Sequence, residues 1–235
     1  MGYGATGRIL RVDLTRMHCH TEQLDEDVYR LYPGGKALAG YFMLREFVPG
    51  TDALSPDSVL VVANGLLTGA PVSTAARFTV AARSPLTGAY GESEAGGYFG
   101  PELKAAGYEA IIVTGRAAAP VYLAIRDANV EIRDAGGLWG REPEEVQTAI
   151  RAELGDSYVR VLQIGPGGEN LVRYAALTNE LAHFNGRTGM GAVMGSKNLK
   201  AIAVRGKSRY IQGVSDAAPV AELGKSLARR VKDHP

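Results

Sequence analysis

Two glycine-rich loops carry the groups in this sequence that are best suited to holding an anionic ligand. The first is Glu92–Gly100 (ESEAGGYFG) and the second is Phe184–Gly191 (FNGRTGMG). Glycines permit close approach of the backbone to a ligand, and each loop is predicted to open a helix whose free N–H groups suit phosphate. Arg187 in the second loop, and Arg77 on the strand before the first, would add planar guanidinium groups. The pattern indicates anion binding; the alternative is that the glycines only serve tight turns.

The two loops lie at matching points of an internal repeat. Residues Phe99–Gly115 align with Met190–Gly206 at a spacing of 91, and Ser58–Gly65 aligns with Tyr158–Gly165 at a spacing of 100. Each half reads strand, glycine turn, strand, glycine loop, short helix, strand. A true duplication would let the two loops face a shared ligand or a pair of similar ligands. The alternative is chance matching of a common strand pattern.

Other site patterns are weak. Residues 165–170 follow a predicted strand, but Asn170 stands where the dinucleotide fingerprint requires its third glycine. The segment 191–197 resembles a P-loop only loosely, because its glycines are too close and its Ser and Lys are reversed. His18 and His20 share one face of a predicted strand, without a second group of metal ligands. No Ser/His/Asp set or carboxylate pair is evident, so no residue of this chain is predicted to be catalytic.

Composition narrows the class of protein. Of 235 residues, 46% are apolar and 22% are charged, and the net charge is +1. These values are typical of a globular protein and do not favour a nucleic-acid or membrane-surface partner. No apolar run approaches the roughly 20 residues that a membrane helix needs, and the N-terminus does not resemble a signal peptide, so we expect a cytoplasmic location. The single cysteine, Cys19, cannot hold an iron–sulfur cluster.

The elements predicted to position the loops follow from hydrophobic periodicity and turn residues. The predicted strands are 8–14, 17–22, 58–63, 77–82, 110–114, 121–125, 130–133, 159–164 and 201–204, and 171–177 is predicted to be a strand or a partly extended segment. The predicted helices are 25–32, 37–47, 100–106, 144–153 and 193–198, followed by a polar helical tail from about residue 220.

Five blocks of the sequence resemble successive parts of the N-terminal domain of aldehyde:ferredoxin oxidoreductases. They are GRILRVDL, SPLTG, EAGGYFGPELKAAGYEAIIVTG, IGPGGENLVRYAAL and GRTGMGAVMGSKNLKAIAV, and they run from about Gly7 to Gly206. The resemblance implies an α+β fold of two β-sheets with short helices and an internal pseudo-duplication. It also implies a tungsten ion (less often molybdenum) held by the dithiolenes of two pterins, whose phosphates are bridged by Mg²⁺.

The resemblance assigns roles to residues of both loops. Arg77 matches a pterin-binding arginine, while Gly96 and Gly186 match further pterin contacts. The backbone carbonyls of Glu94 and Phe184 match the two protein ligands of the magnesium. His183 stands where some members have an arginine, and its shorter, partly charged side chain puts that contact in question. The predicted cofactor-binding set is Arg77, Ala95, Gly96, Gly97, His183, Phe184, Gly186 and Arg187, and the predicted metal set is Glu94 and Phe184.

The expected domain division is residues 1–210 as the pterin-cofactor-binding N-terminal domain and 211–235 as the truncated start of a following helical domain. In the family, a 4Fe-4S cluster and the catalytic acid–base groups belong to later domains, so this chain is expected to be a fragment or one subunit of a split enzyme, inactive alone. Expected partners are C-terminal domains or a second subunit with that cluster, ferredoxin, and in one arrangement a second copy in a homodimer.

The function implied for the intact protein is oxidation of aldehydes to carboxylic acids with ferredoxin as electron acceptor. Two alternatives stay open. The chain could be a non-catalytic, tungstopterin-binding subunit or module, or it could belong to a family member that acts on a substrate other than an aldehyde.

Overall fold

Two six-stranded mixed sheets make up the framework of the computed structural model, which describes residues 4–208 and 216–232. The first sheet has the order β2-β1-β6-β3-β4-β5 and consists of β1 (Arg8–Asp13), β2 (His18–Gln23), β3 (Leu60–Asn64), β4 (Phe78–Arg83), β5 (Tyr90–Ala95) and β6 (Ala110–Thr114). The second has the order β8-β7-β12-β9-β10-β11 and consists of β7 (Val121–Arg126), β8 (Asn129–Asp134), β9 (Arg160–Gln163), β10 (Leu177–Asn179), β11 (His183–Asn185) and β12 (Leu199–Arg205).

The two sheets have the same topology. In each, an antiparallel hairpin lies parallel to the last strand of the half, and the other three strands follow antiparallel to one another. The register agrees with the repeat in the sequence, because Val62 pairs with Ile111 and, correspondingly, Leu162 pairs with Ile202. These pairs preserve the spacings of 100 and 91. The duplication and the predicted α+β fold are therefore confirmed.

Short helices connect and cover the sheets. They are α1 (Glu26–Leu31), α2 (Gly35–Glu46), α3 (Phe99–Ala105), α4 (Pro143–Leu154), α5 (Pro166–Glu169), α6 (Met190–Ser196) and α7 (Ala218–Lys232). Helix α4 shows why the boundaries fall where they do. Pro143 occupies its first turn, Glu142 and Glu145 form a capping box, and Gly155 ends it with φ of 64°. No helix in the described ranges is long and apolar enough to cross a membrane.

The largest core cluster is shared by both sheets and by α3 and α6. Leu10, Val62 and Val80 from the first sheet meet Leu123 and Ile202 from the second in this cluster. A second cluster buries α1 and α2 against the first sheet, and a third buries α4 against the second. Alternate residues of a strand face opposite sides of the sheet, so each sheet contributes to an inner and an outer core.

Most predicted elements are confirmed, with two instructive errors. The segments now seen as β5 and β11 were predicted to be loop, because β5 buries only the small residues Gly91, Ser93 and Ala95, and β11 has three residues. Of 171–177, predicted to be a strand or a partly extended segment, only Leu177 lies in a strand, since β10 begins there and Leu171 turns the chain with φ of 57°.

Candidate functional site

The two glycine-rich loops meet where the edge strands β5 and β11 approach each other. The side-chain amide of Asn185 donates to the Ser93 carbonyl oxygen at 2.8 Å, and the Arg187 amide donates to Ser93 Oγ at 3.2 Å. Thr188 Oγ1 donates to the Glu92 carbonyl oxygen at 3.1 Å. The two loops are therefore in direct contact, as their matching places in the repeat allowed.

The strand register makes the two predicted magnesium ligands equivalent. Thr79 on β4 pairs with Glu94 on β5, and Thr178 on β10 pairs with Phe184 on β11. Since β4–β5 and β10–β11 are corresponding hairpins of the two sheets, Glu94 and Phe184 occupy matching positions. Two backbone carbonyls at related positions on adjacent edges are a suitable arrangement for a hard cation, which prefers oxygen ligands.

The glycines that follow these strands differ in what surrounds them. A Cβ added at Gly96 would meet only His183 Nδ1, at 3.9 Å, and one added at Gly186 would meet only Phe184 Cβ, also at 3.9 Å. Both backbones therefore border open space that a ligand could fill. Gly97 is different, because its φ is +87° and an added Cβ would lie 2.8 Å from His183 Cδ2. The two loops pack too closely at Gly97 to admit a side chain there.

Two arginines beside the loops keep their charge available. Arg77 is exposed and directly precedes Phe78, whose partner Ala95 directly precedes Gly96. Arg187 is exposed at the corresponding end of the second hairpin. Neither guanidinium has a hydrogen bond or an ion pair with any residue in the described ranges. Unpartnered guanidinium groups next to open backbone suit the phosphates of an anionic ligand.

The first loop also carries negative charge, and a lysine offsets it. Lys36 Nζ lies 2.9 Å from Glu92 Oε1 and 3.9 Å from Glu94 Oε1. The hydrogen bond with Glu92 and the charges of both carboxylates raise the pKa of Lys36, which stabilises its protonated form. The ion pairs hold the carboxylates beside the start of α2, where they would repel a bound anion less.

The expectation that the second helix would offer free amides to the ligand is wrong. The Gly191 amide donates to the Ala175 carbonyl oxygen at 2.9 Å, and a Cβ at Gly191 would lie 2.8 Å from the same oxygen. Helix α3 likewise begins with buried Phe99 and Gly100. The tight-packing alternative is therefore right for Gly191, whereas Gly96 and Gly186 retain the open surroundings that a ligand needs.

The other motifs have structural roles. His18 and His20 are exposed, with ring centroids 5.6 Å apart, and no group of three or more metal-ligand side chains occurs in the described part of the chain. Glu169, in the segment that loosely resembled a dinucleotide fingerprint, forms an ion pair with buried Lys200. A Cβ at Gly168 would lie 2.9 Å from the Gly191 carbonyl oxygen, so this glycine allows α5 to pack on α6.

Sequence reasoning missed three residues of the site. Lys36 sits at the start of α2, far from both loops in the sequence. Asn179 and Asn185 are fully buried and bind carbonyl oxygens of the first loop. Extending the repeat through the hairpins would have identified the asparagines. Val80 and Ala95 occupy the matching positions in the first half, so a polar residue stands in each case where the repeat has an apolar one.

Comparisons with known proteins agree with this architecture. The family model described as "Aldehyde ferredoxin oxidoreductase, N-terminal domain" matches residues 9–206. The tungsten-containing aldehyde ferredoxin oxidoreductase of Pyrococcus furiosus is 46% identical over 96% of this chain and 36% of its own length. The WOR-like subunit of the aliphatic sulfonate oxidoreductase of the same organism is 36% identical over 87% of this chain and 35% of its own length.

A solved structure shows the same fold. The BamBC active-site complex of benzoyl coenzyme A reductase, in complex with 1,5-dienoyl-CoA, matches with a TM-score of 0.87 and 39% identity, over 89% of this chain and 32% of that chain. The chain thus spans about a third of the length of the proteins it matches. By sequence and by fold, the chain belongs to the aldehyde ferredoxin oxidoreductase family and matches its N-terminal domain.

Proposed function

We propose that this chain binds a tungsten bis-pterin cofactor and forms part of an oxidoreductase that converts aldehydes to carboxylic acids with ferredoxin as electron acceptor. Residues 1–210 would be the cofactor-binding domain, and 211–235 would begin the next, helical domain. The cluster-bearing C-terminal domains or subunit, ferredoxin and, in a homodimer, a second copy are the proposed partners. Molybdenum in place of tungsten is the alternative metal.

The observation that carries this proposal is the meeting of two pseudo-equivalent loops. A ligand made of two similar pterins, each with a phosphate, would present matching groups to matching protein positions. Open backbone at Gly96 and Gly186, and the available charges of Arg77 and Arg187, fit such a ligand. A single small anion would not present matching groups to the two loops.

The chain's own residues would bind and orient the cofactor. The carbonyl oxygens of Glu94 and Phe184 would hold a magnesium ion between the two phosphates. Arg77 and Arg187 would neutralise phosphate charge, and the exposed His183 would complete the loop surface. Ala95 is buried in the main core and Gly97 serves the packing of the loops, so these two predicted residues would contact the cofactor only through their backbone. When bound, the tungsten bis-pterin would supply the two-electron redox chemistry, and this domain would supply binding and orientation.

A second candidate function has a specific observation in its favour. One relative is named as part of an aliphatic sulfonate oxidoreductase, and the structural match is named as part of benzoyl coenzyme A reductase. Substrate therefore differs among proteins that share this domain, and a substrate other than an aldehyde is the main alternative. Turnover of aldehydes and sulfonates by the holoprotein, with reduction of ferredoxin as the readout, separates the two.

The binding proposal is tested by metal and pterin analysis of the holoprotein. Arg77→Ala and Arg187→Ala should each lower tungsten and pterin content about tenfold, because a charge-assisted contact to phosphate is lost. Arg16→Ala, on a side chain that is 84% exposed in the β1–β2 turn, is the matched control and should keep both contents unchanged.

Four outcomes discriminate the alternatives. Wild-type protein without tungsten, molybdenum or pterin would exclude the proposed function. Pterin together with iron in a complex that turns over substrate supports a split enzyme, whereas pterin without turnover supports a binding module. Unchanged cofactor in Arg77→Ala would remove that residue from the site.

A further inference from the structure

Two buried asparagines of the second half form hydrogen bonds with the backbone of the first glycine-rich loop. Asn179 Nδ2 donates to the Gly96 carbonyl oxygen at 3.2 Å and to the His183 carbonyl oxygen at 3.4 Å. Asn185 Nδ2 donates to the Ser93 carbonyl oxygen at 2.8 Å. Both asparagines have an exposed fraction of 0%. Each therefore links a strand of the second sheet to the backbone of the first loop.

These hydrogen bonds surround the two backbone carbonyls that the proposed function assigns to magnesium. Ser93 and Gly96, the two acceptors on the first loop, lie on either side of Glu94. His183, the other acceptor of the Asn179 amide, directly precedes Phe184, the first residue of the second loop. The amide of Asn179 thus ties both loops at once, and Asn185 adds a second link close to Glu94. Fixing the backbone on both sides fixes the separation of the carbonyls between them.

The duplicated fold does not itself require asparagine at these positions. Asn179 pairs with His183 as Val80 pairs with Ser93, so Asn179 corresponds to Val80. By the same registers Asn185 corresponds to Ala95. Val80 and Ala95 are both buried in the main core cluster.

Burying an amide in place of an apolar side chain costs free energy, and here the cost is incompletely offset. The Oδ1 atoms of Asn179 and Asn185 are buried without a hydrogen-bond partner among the described residues. The second half therefore departs from the apolar pattern of the first at the two positions that contact the first loop. A requirement for a fixed arrangement of the loops explains that departure.

We infer that Asn179 and Asn185 are positioning residues that set the distance between the two magnesium-binding carbonyls. The inference rests on the proposed function, since it presumes a magnesium ion between pterin phosphates. Because both asparagines are fully buried, their side chains would contact neither the metal nor the pterins. They act through the backbone of both loops, as residues that support a binding site commonly do.

The test compares asparagine variants with a matched buried amide in the holoprotein. Asn179→Ala and Asn185→Ala remove the links to the first loop. Gln163→Ala is the control, because Gln163 is also 0% exposed, donates to one backbone carbonyl oxygen, that of Pro143, at 2.9 Å, and leaves its Oε1 unpaired. That carbonyl belongs to α4, so the control alters the second sheet without touching the loops.

The main readout is the rate at which magnesium leaves the holoprotein on dialysis against EDTA, with pterin content measured alongside. Each asparagine variant should lose magnesium about tenfold faster than wild type, and the control should stay within about twofold. Urea midpoints should fall similarly in Asn179→Ala and Gln163→Ala, which separates positioning from general stability. If Asn179→Ala does not fold, Asn179→Ser takes its place, because its short hydroxyl cannot reach both carbonyls.

Hydrogen exchange of the amides at 93–98 gives a second readout that needs no cofactor. Exchange there should become at least about fivefold faster in Asn179→Ala and Asn185→Ala, and should not change in Gln163→Ala. The inference is overturned if the asparagine variants retain magnesium like wild type, or if the control loses it equally. Absence of pterin from wild-type protein would instead exclude the proposed function, and exchange alone would then decide whether the asparagines fix the first loop.

Discussion

The two halves of this domain share a backbone pattern, but at one corresponding buried position they carry side chains of opposite charge. Glu109 and Lys200 correspond at the spacing of 91, and both have an exposed fraction of 0%. The carboxylate of Glu109 accepts a hydrogen bond from Lys104 Nζ at 2.9 Å. The ammonium of Lys200 pairs instead with the carboxylate of Glu169. The duplication has therefore preserved strand pairing while the polar contents of each half changed.

The local packing explains why the partners differ. Lys104 lies on α3, and the corresponding residue on α6 is Gly195. A Cβ at Gly195 would lie 2.7 Å from the Gly168 carbonyl carbon, so only glycine lets α5 pack here. Helix α5 then supplies Glu169 as the partner that α6 does not provide. The countercharge thus comes from α3 in the first half and from the segment between β9 and β10 in the second, and each buried ion is still satisfied.

The largest effect is expected from removing one member of a buried pair. Glu109→Leu should lower the free energy of unfolding by about 3–5 kcal/mol, because it leaves the Lys104 ammonium buried and unpaired. It also removes the acceptor of the Thr6 amide, 2.7 Å away. Lys200→Met should cost slightly less, since Glu169 keeps the hydrogen bond from the Gly140 amide at 2.8 Å. Urea unfolding at neutral pH measures both.

The double variants sharpen this comparison. Adding Lys104→Met to Glu109→Leu, or Glu169→Gln to Lys200→Met, should recover about 1–3 kcal/mol, because no unpaired ion remains buried. A double variant whose loss relative to wild type equals the sum of the two single-variant losses would show that the ion pair is not what stabilises these positions.

A smaller effect should separate two adjacent glycines of the first loop. Gly97→Ala should destabilise the fold by about 2–4 kcal/mol, because φ is +87° and the new Cβ would collide with Asn179 Oδ1 and His183. Gly96→Ala, and Gly186→Ala at the matching position of the second loop, should stay within about 0.5 kcal/mol of wild type. Thermal unfolding of the cofactor-free protein measures the three variants, and equal losses at Gly96 and Gly97 would contradict the open surroundings of Gly96.

Much of the comparison between halves could be predicted from the sequence, because short apolar runs between turn residues indicate buried strands. β6 was predicted with its observed bounds, and the glycine loops were placed correctly at corresponding points of the repeat. The edge strand β5 was missed because Glu92 and Glu94 alternate with small residues and give no apolar signal. The links from Asn179 and Asn185 were missed because their acceptors lie 83 and 92 residues away in the sequence. Only the packing of the two sheets brings such partners together.

The turns that close the two corresponding hairpins give a third comparison. The β4–β5 turn ends with Gly88 at φ of 74°, whereas the β10–β11 turn places Glu180 and Leu181 at 51° and 58°. Leu181→Gly should therefore stabilise the fold by about 0.5–1 kcal/mol, because a left-handed conformation is strained for leucine and not for glycine. Leu86→Gly, in the other turn and without positive φ, is the control and should destabilise by about 0.5–1 kcal/mol. Loss of stability in Leu181→Gly would mean that its side-chain contacts outweigh the backbone strain.

The smallest effect concerns the only cysteine, which takes the place of an apolar residue. Cys19 pairs with Val12 in the β1–β2 hairpin as Val130 pairs with Ile125 in the β7–β8 hairpin, and both Cys19 and Val130 pack against the main core.

Burial disfavours the thiolate and raises the pKa of Cys19 to about 11. At pH 8 the folded protein should therefore react with iodoacetamide about 100-fold more slowly than the urea-unfolded chain, whose thiol has its ordinary pKa. The rate should rise about tenfold for each unit of pH up to about 11, because only the thiolate reacts. Cys19→Val should leave the free energy of unfolding within about 0.5 kcal/mol of wild type, because Val130 packs in the same way at the corresponding position of the second half. Rapid alkylation of the folded protein at pH 8 would show instead that Cys19 is an accessible thiolate and that the two hairpins differ in more than side-chain identity.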